Sequence, residues 1–270
     1  MARLTFLQCR PQELSLDREA PQGVCRGIRA SASTVARGSS MTNHAFYDSP
    51  ATARDYLTHA ATAGELRICD WLAQRPGPLL DVGCGAGRLH EKLVNVSGGL
   101  TGVDYAAEPL RIYRQRYGDA NVVQGDALRL PFQDAQFGLA LMGYHMIESI
   151  LPSSSREKAL LEAARVLKPG GFLVLSRHNR LGYKLVQQIH AYLRRPGSEF
   201  GDLCGPSRVL SDPGPEEAFK MHVCSTKKIR LAARRAGFNL TDSWDFDTAG
   251  RTTIRCRAVV ECFVLQGRPL

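Results

Sequence analysis

Leu80-Asp81-Val82-Gly83-Cys84-Gly85-Ala86-Gly87-Arg88-Leu89 is the stretch whose reading decides the fold. Pro76-Gly77-Pro78 turns the chain into a short apolar run, Leu79 to Val82, that has the pattern of a buried strand. Three glycines spaced by two come next, before a helical pattern begins. Glycines so placed let the backbone bend sharply and let a ligand approach the main chain with no Cβ in the way. A dinucleotide fingerprint, G-x-G-x-x-G, requires its third glycine at 88, where Arg88 stands. The segment reads as a nucleotide-binding turn with a weakened case for a pyrophosphate.

Two acids farther along the chain add weight. Asp104 closes the next apolar run, Gly102-Val103-Asp104, about twenty residues on, where an acid can accept hydrogen bonds from both hydroxyls of a ribose. Asp126, in Val123-Gln124-Gly125-Asp126-Ala127, closes a third run and can accept from an adenine amino group. Each acid alone reads as a helix cap or turn former. Together with Asp81 they place acids at three successive strand ends, facing the crevice where open parallel sheets hold ligands.

Beyond this core the chain alternates helical segments with short apolar runs, the mark of an α/β sheet covered on both faces. Strands are predicted at 99–104, 121–125, 138–142, 171–176, 240–246 and 257–266, and helices at 53–72, 87–95, 109–117, 155–167, 181–193 and 226–236. Residues 180–222 break the rhythm with a helical piece and a Gly- and Pro-rich loop, an insertion that reads as a lid or a linker. No internal repeat appears. Residues 1–40, interrupted by Pro11, Pro21, Gly23, Gly27 and Gly38, carry no packing pattern. They are expected to be a disordered extension, with Met41 as an alternative start. Arg26, Arg29 and Arg37 faintly resemble a transit peptide, against which Glu13, Asp17 and Glu19 count. One domain then spans 41–270.

The 270 residues are 44% hydrophobic and 23% charged, an ordinary globular balance that excludes wholesale disorder and fibrous classes. No apolar run approaches the roughly eighteen residues of a membrane span. The formal charge of +9 invites nucleic acid or acidic lipid. Its distribution argues otherwise: six Arg against three acids in residues 1–40, then 29 basic against 23 acidic side chains, scattered, thereafter. The eight cysteines form no CxxC pair and match no zinc pattern, so no metal is expected. Reduced thiols and a cytoplasmic location are the reading.

These motifs resemble those of the class I S-adenosylmethionine-dependent methyltransferases of the small-molecule "type 11" kind. The matching segments are Asp81 to Gly87, Asp104, Gly125-Asp126-Ala127 followed by Leu130-Pro131-Phe132, and Arg165-Val166-Leu167-Lys168-Pro169-Gly170-Gly171, covering about residues 45–178. The resemblance implies a Rossmann-like, mostly parallel seven-stranded sheet of order 3-2-1-4-5-7-6, with the last strand antiparallel. It implies S-adenosyl-L-methionine as cofactor, bound by the loops that carry Asp81, Gly83, Cys84, Gly85, Gly87, Asp104, Tyr105, Asp126 and Ala127. Gly83 and Gly85 would border the methionine portion, Asp104 the ribose, and Asp126 with Ala127 the adenine. Leu139 to His145, Met142 included, would run beside the sulfonium. His44 to Asp48 and Arg54-Asp55-Tyr56 look like the N-terminal helix that closes over the cofactor in relatives. Gly138 stands where the family often has an acid, and Gly143 where it often has a small polar residue.

Methyl transfer from a sulfonium requires chiefly a nucleophile held near attack distance in a dry pocket. For a hydroxyl or acidic-carbon acceptor a general base helps. His145, following strand four, is the candidate, the alternative being a histidine bonded structurally at a strand end. Glu148 can orient it or cap a helix. Tyr47 and Tyr144 are candidates to shape the pocket mouth or to pack. Arg177, His178, Lys184 and His222 can meet an anionic acceptor or sit solvated at the surface. A small-molecule acceptor is expected, with no membrane, and a monomer or homodimer. Nucleic-acid methylation is the rival, but strand four lacks an Asn/Asp-Pro-Pro-aromatic segment, and no Pro-Cys follows it. Protein arginine methylation would require a second glutamate beside Glu148. A non-catalytic cofactor-binding regulator is the reading from a different class.

Overall fold

The computed structural model describes residues 40–180, 189, 202–205, 219–247, 251–253 and 260–268. The N-terminal extension up to residue 39, the helical piece at 181–193 apart from residue 189, and most of the 180–222 insertion lie outside the described residues.

Seven strands form one sheet: β1 (Leu79–Val82), β2 (Leu100–Asp104), β3 (Val122–Gln124), β4 (Phe137–Met142), β5 (Leu167–His178), β8 (Phe238–Phe246) and β9 (Val260–Gly267). Their order is β3-β2-β1-β4-β5-β9-β8, which in main-sheet numbering is the expected 3-2-1-4-5-7-6. β1 pairs parallel with β2 and β4, and β9 runs antiparallel to both neighbours. Two further strands, β6 (Asp202–Gly205) and β7 (Phe219–His222), form an antiparallel ribbon within the insertion.

Side-chain alternation along the central strands feeds two cores. Leu79, Leu139, Leu141 and Val174 face α3 (Ala63–Ala73) and α4 (His90–Leu93) through Ile68, Leu72 and Leu93. Leu80, Val82, Ala140, Met142, Leu173 and Leu175 face α6 (Arg156–Val166) and α7 (Thr226–Arg235) through Leu160, Ala163, Ile229 and Ala233. Fully buried leucines of this kind contribute about 1.5–3 kcal/mol each. α5 (Ala107–Tyr117) covers β3 with Leu110 and Tyr113.

The single helix expected over 53–72 is two. α1 (Ser40–Tyr47) leads into α2 (Pro50–Thr58), which ends at His59, and Thr62 starts α3 with a capping box. Its side chain accepts from the Glu65 N–H while Glu65 accepts from the Thr62 N–H, satisfying donors that an uninterrupted helix would not expose. The helix expected at 87–95 shrinks to His90–Leu93, because the glycine turn extends to Leu89.

Candidate functional site

The C-terminal ends of β1, β2, β3 and β4 open into a cavity of about 260 Å³ roofed by α1 and α2. At its floor the chain leaving β1 turns back on β2: the N–H groups of Gly83 and Cys84 both donate to the Val103 carbonyl, at 2.7 and 3.2 Å. Two glycines in this turn differ in purpose. Gly85 has φ +54°, and a Cβ built there meets nothing within 4 Å, so the cavity comes up to bare backbone. Gly87 has φ +80°, and a Cβ there would lie 2.7 Å from the Tyr113 ring, so it serves helix packing.

Acids rim this floor. Asp104 Oδ2 accepts from the Gly85 N–H and Oδ1 from the Ala106 N–H, both at 2.9 Å, which fixes the carboxylate against the glycine turn. Burial raises its pKa, opposed by those N–H bonds. Asp81 is pushed up to about 7, first by burial, then by the neighbouring Asp104 charge, with Arg88 pulling the other way. Arg88 is engaged bidentately by Glu65. Asp126 accepts from the Leu128 N–H at 2.8 Å and brings Gly125, Ala127 and Leu128 to the wall.

The roof is aromatic. Tyr47 and Tyr105 meet edge to face with centroids 6.1 Å apart, and Tyr56 and Tyr144 likewise at 5.5 Å. Tyr47 Oη and Ser149 Oγ are hydrogen-bonded at 2.8 Å, and burial raises the Tyr47 pKa well above its usual value. The roof is tied down at both ends. Asp48 accepts from the Glu108 N–H of α5, and Asn43 exchanges two bonds with the Lys220 backbone and donates a third to the Ser149 carbonyl. Leu57, Ile150 and Leu151 complete an apolar side.

Of the residues singled out in the sequence, Asp81, Gly83, Cys84, Gly85, Asp104, Tyr105, Asp126, Ala127, Tyr47 and Tyr144 line this one cavity. Five do not. Gly87 packs under Tyr113, and Met142 is fully buried in the core facing α6. His145 is half-buried, with its ring 3.8 Å from that of His178 and its Nδ1 shielded from solvent without a partner. Burial, then the neighbouring His178 and Arg177, push its pKa down to about 3, which keeps the ring neutral. Arg177 has no exposed side-chain surface; it pairs with Glu261 directly opposite on β9, at 2.5 Å, and donates to the Cys224 carbonyl. His178 pairs through Nδ1 with Glu148 at 2.6 Å. Arg177 and His178 are thus held in a buried charge network at the end of β5 and do not line the cavity. His222 is buried as well, and Lys184 lies outside the described residues.

Arg88, Glu65, Asn43, Met146 and Ser149 are wall or wall-fixing residues that no motif in the sequence singled out. A signal existed for Arg88, which sits inside the glycine turn, and for Glu65, third after Thr62 in a capping-box spacing. Among the described residues, Cys69, Cys84, Cys224 and Cys262 are free and buried, no cluster of three metal-binding side chains occurs, and no helix is long and apolar enough to cross a membrane.

A family model described as a methyltransferase domain matches residues 80–175, the glycine turn through β5. A 2-phytyl-1,4-naphtoquinone methyltransferase of Nostoc sp. is 33% identical over 168 residues, covering 55% of this chain and 72% of that enzyme. Its namesake from Synechocystis sp. is 40% identical over 110 residues, covering 37% of this chain and 44% of that enzyme, less than half its length. Among solved structures, a SAM-dependent methyltransferase from Methanosarcina mazei superposes with TM-score 0.62 at 22% identity, over 75% of this chain and 98% of that one, a likeness of fold. With its sheet order, its glycine turn and these matches, the chain belongs to the class I S-adenosylmethionine-dependent methyltransferases.

Proposed function

We propose that this protein transfers a methyl group from S-adenosylmethionine to a small, ring-bearing organic acceptor that enters beneath the tyrosine roof. One observation carries the reading: three acids, Asp81, Asp104 and Asp126, rim a cavity whose bare-backbone floor is at Gly85, and the cation in its wall, Arg88, is already engaged by Glu65. Such a site repels a pyrophosphate and suits a ligand that brings hydroxyl, amino and cationic donors.

The residues present fit that cofactor. Asp104, clamped by two N–H groups, keeps lone pairs for ribose hydroxyls. Asp126 and Ala127 suit the adenine, and Asp81, Gly83 and Gly85 the methionine portion, whose ammonium complements Asp81. When bound, the cofactor supplies an electrophilic methyl group on a sulfonium. The chain's own part is to hold, align and exclude water: Tyr47, Tyr56, Leu57, Ile150 and Leu151 offer an apolar, aromatic bed on which a planar acceptor can be oriented. The similar naphthoquinone methyltransferases of Nostoc and Synechocystis favour an acceptor of that shape. A cytoplasmic location accords with this reading.

Calorimetry with S-adenosylhomocysteine, NAD and FMN tests the cofactor, and mass spectrometry of a metabolite extract incubated with enzyme and S-adenosylmethionine tests the acceptor. Binding of S-adenosylhomocysteine alone, with a small molecule gaining one methylene, is expected. Uptake of a nicotinamide or flavin nucleotide instead overturns the reading, and methyl groups recovered only in RNA or protein overturn its acceptor.

A further inference from the structure

We infer that Tyr144 is the residue that takes the proton from a hydroxyl-bearing acceptor, relaying it to His59, which is positioned by Asp55. The inference rests on the small-molecule acceptor proposed for this cavity and deepens it. Tyr144 lines the cavity from the loop after β4, and its phenol oxygen lies 3.0 Å from His59 Nδ1. On the far side of that ring, Nε2 lies 3.6 Å from Asp55 Oδ2, one helical turn back along α2. The carboxylate favours the ring proton on Nε2, which leaves Nδ1 to accept from the tyrosine O–H.

Two further features set Tyr144 apart. Tyr144 and the adjoining His145 hold φ values of +45° and +61°, the left-handed region that non-glycine residues avoid, and such strained conformations collect at working sites. The strained turn is held by the His145 N–H donating to Ser176 Oγ and the Met146 N–H to the Gly143 carbonyl. Arg88, fixed by Glu65, lies 4.4 Å from the Tyr144 ring centroid, and Tyr56 meets the same ring edge on. His59 and Asp55 are each 43% exposed, so the path from the cavity ends at solvent, where a proton can be released.

In the step, an acceptor oxygen gives an electron pair to the methyl carbon while the carbon–sulfur pair stays on sulfur. The hydroxyl proton moves to the Tyr144 oxygen as the Tyr144 proton moves to His59 Nδ1. The sulfonium charge is thereby replaced by an imidazolium charge beside the Asp55 carboxylate. His145, packed against His178 and absent from the cavity lining, has no part in it.

The test uses the full chain with S-adenosylmethionine and a panel of mono- and dihydroxynaphthalenes, comparing wild type with Tyr144→Phe, His59→Ala and Asp55→Asn. Turnover to methyl ethers in the wild type, a fall of about a hundredfold or more in kcat for the first two variants, unchanged S-adenosylhomocysteine affinity, and recovery of His59→Ala by added imidazole are expected. Spectra of isotope-labelled histidine, with no cofactor present, should show His59 Nδ1 accepting a hydrogen bond that Tyr144→Phe removes. Variants within about threefold of wild type, or a His59 signal indifferent to Tyr144→Phe, overturn the relay. Wild type that binds S-adenosylhomocysteine but methylates none of the panel overturns the hydroxyl acceptor while leaving the cofactor reading intact; failure to bind S-adenosylhomocysteine overturns the latter.

Discussion

Asp81 and Asp104, at the ends of β1 and β2, and Glu148 and Glu261, behind β4 and β5, are all buried carboxylates, but the chain treats the two pairs differently. Behind the sheet each acid is answered by side chains: Glu261 by Arg177 and Thr226, Glu148 by His178, with Arg177 Nε 3.9 Å away. At the cavity Asp104 is answered by backbone N–H groups, and the guanidinium nearest Asp81 belongs to Glu65. Completed networks rigidify, whereas acids left with free lone pairs beside open space are what a donor-bearing ligand completes. Substitutions in the two places should therefore fail in different ways.

The largest effect is expected from Arg177→Met. Removing one member of a buried ion pair strands the other, a loss of about 3–5 kcal/mol, because Glu261 and Glu148 would keep their desolvation without their cation. Urea denaturation should show the drop, while S-adenosylhomocysteine affinity measured on folded protein should stay within about twofold, the guanidinium being absent from the cavity lining. A large affinity loss with little change in stability would erase the distinction between the two regions. Asp104→Ala should do the reverse: calorimetry should register about a hundredfold weaker S-adenosylhomocysteine binding, as expected for losing charge-assisted bonds to a diol, with a smaller stability cost.

The glycine turn repeats the contrast over two residues. Gly87→Ala should destabilise by about 2 kcal/mol, from an adverse φ and contact with the Tyr113 ring, and should weaken binding only as the turn shifts. Gly85→Ala meets nothing in the protein, so its stability cost should be about 1 kcal/mol from φ alone, while its methyl group occupies ligand space and lowers affinity severalfold. Thermal melts and calorimetry on both variants check the pair.

How far the sequence could be read obeys the same division. The cavity acids were legible because each is local, a strand, a turn and an acid at the strand's end, with the ligand side fixed by parallel topology, whereas the sheet order followed only from the family resemblance those motifs carry. Arg177 and His178 were misplaced, and the two readings of His145, base or structural histidine, stayed open, because their environment is not local. Arg177 meets Glu261 only through the β5–β9 register, 84 residues apart, and His178 meets Glu148 across 30 residues. No periodicity in β5 distinguishes an arginine at a surface from one opposite a glutamate on a strand yet to come. The break at 59–61 was legible in principle, since Thr62-Ala63-Gly64-Glu65 spells a capping box, but the amphipathic pattern on either side hides it. His59 and Tyr144, from distant segments, become neighbours only when α2 folds over the end of β4.

The finest discrimination between the two regions comes from pH. Asp81 and Glu148 are both raised to about 7, each chiefly by burial, so folding holds their protons more tightly than the unfolded chain does. Each therefore adds stability that is fully present below the ordinary carboxylate range and is lost as pH rises through about 7. Asp81→Asn and Glu148→Gln should both flatten the fall in stability between those limits in urea titrations. Binding should separate them. The α-amino group of S-adenosylhomocysteine is a cation that an ionised Asp81 can pair with, so wild-type affinity should weaken by about tenfold for each unit of pH below 7, the limit for one linked proton. That slope should vanish in Asp81→Asn and survive in Glu148→Gln, whose carboxyl group faces His178 and not the ligand. A slope that persists in Asp81→Asn would mean that the acid at the end of β1 shapes the glycine turn without touching what lies upon it.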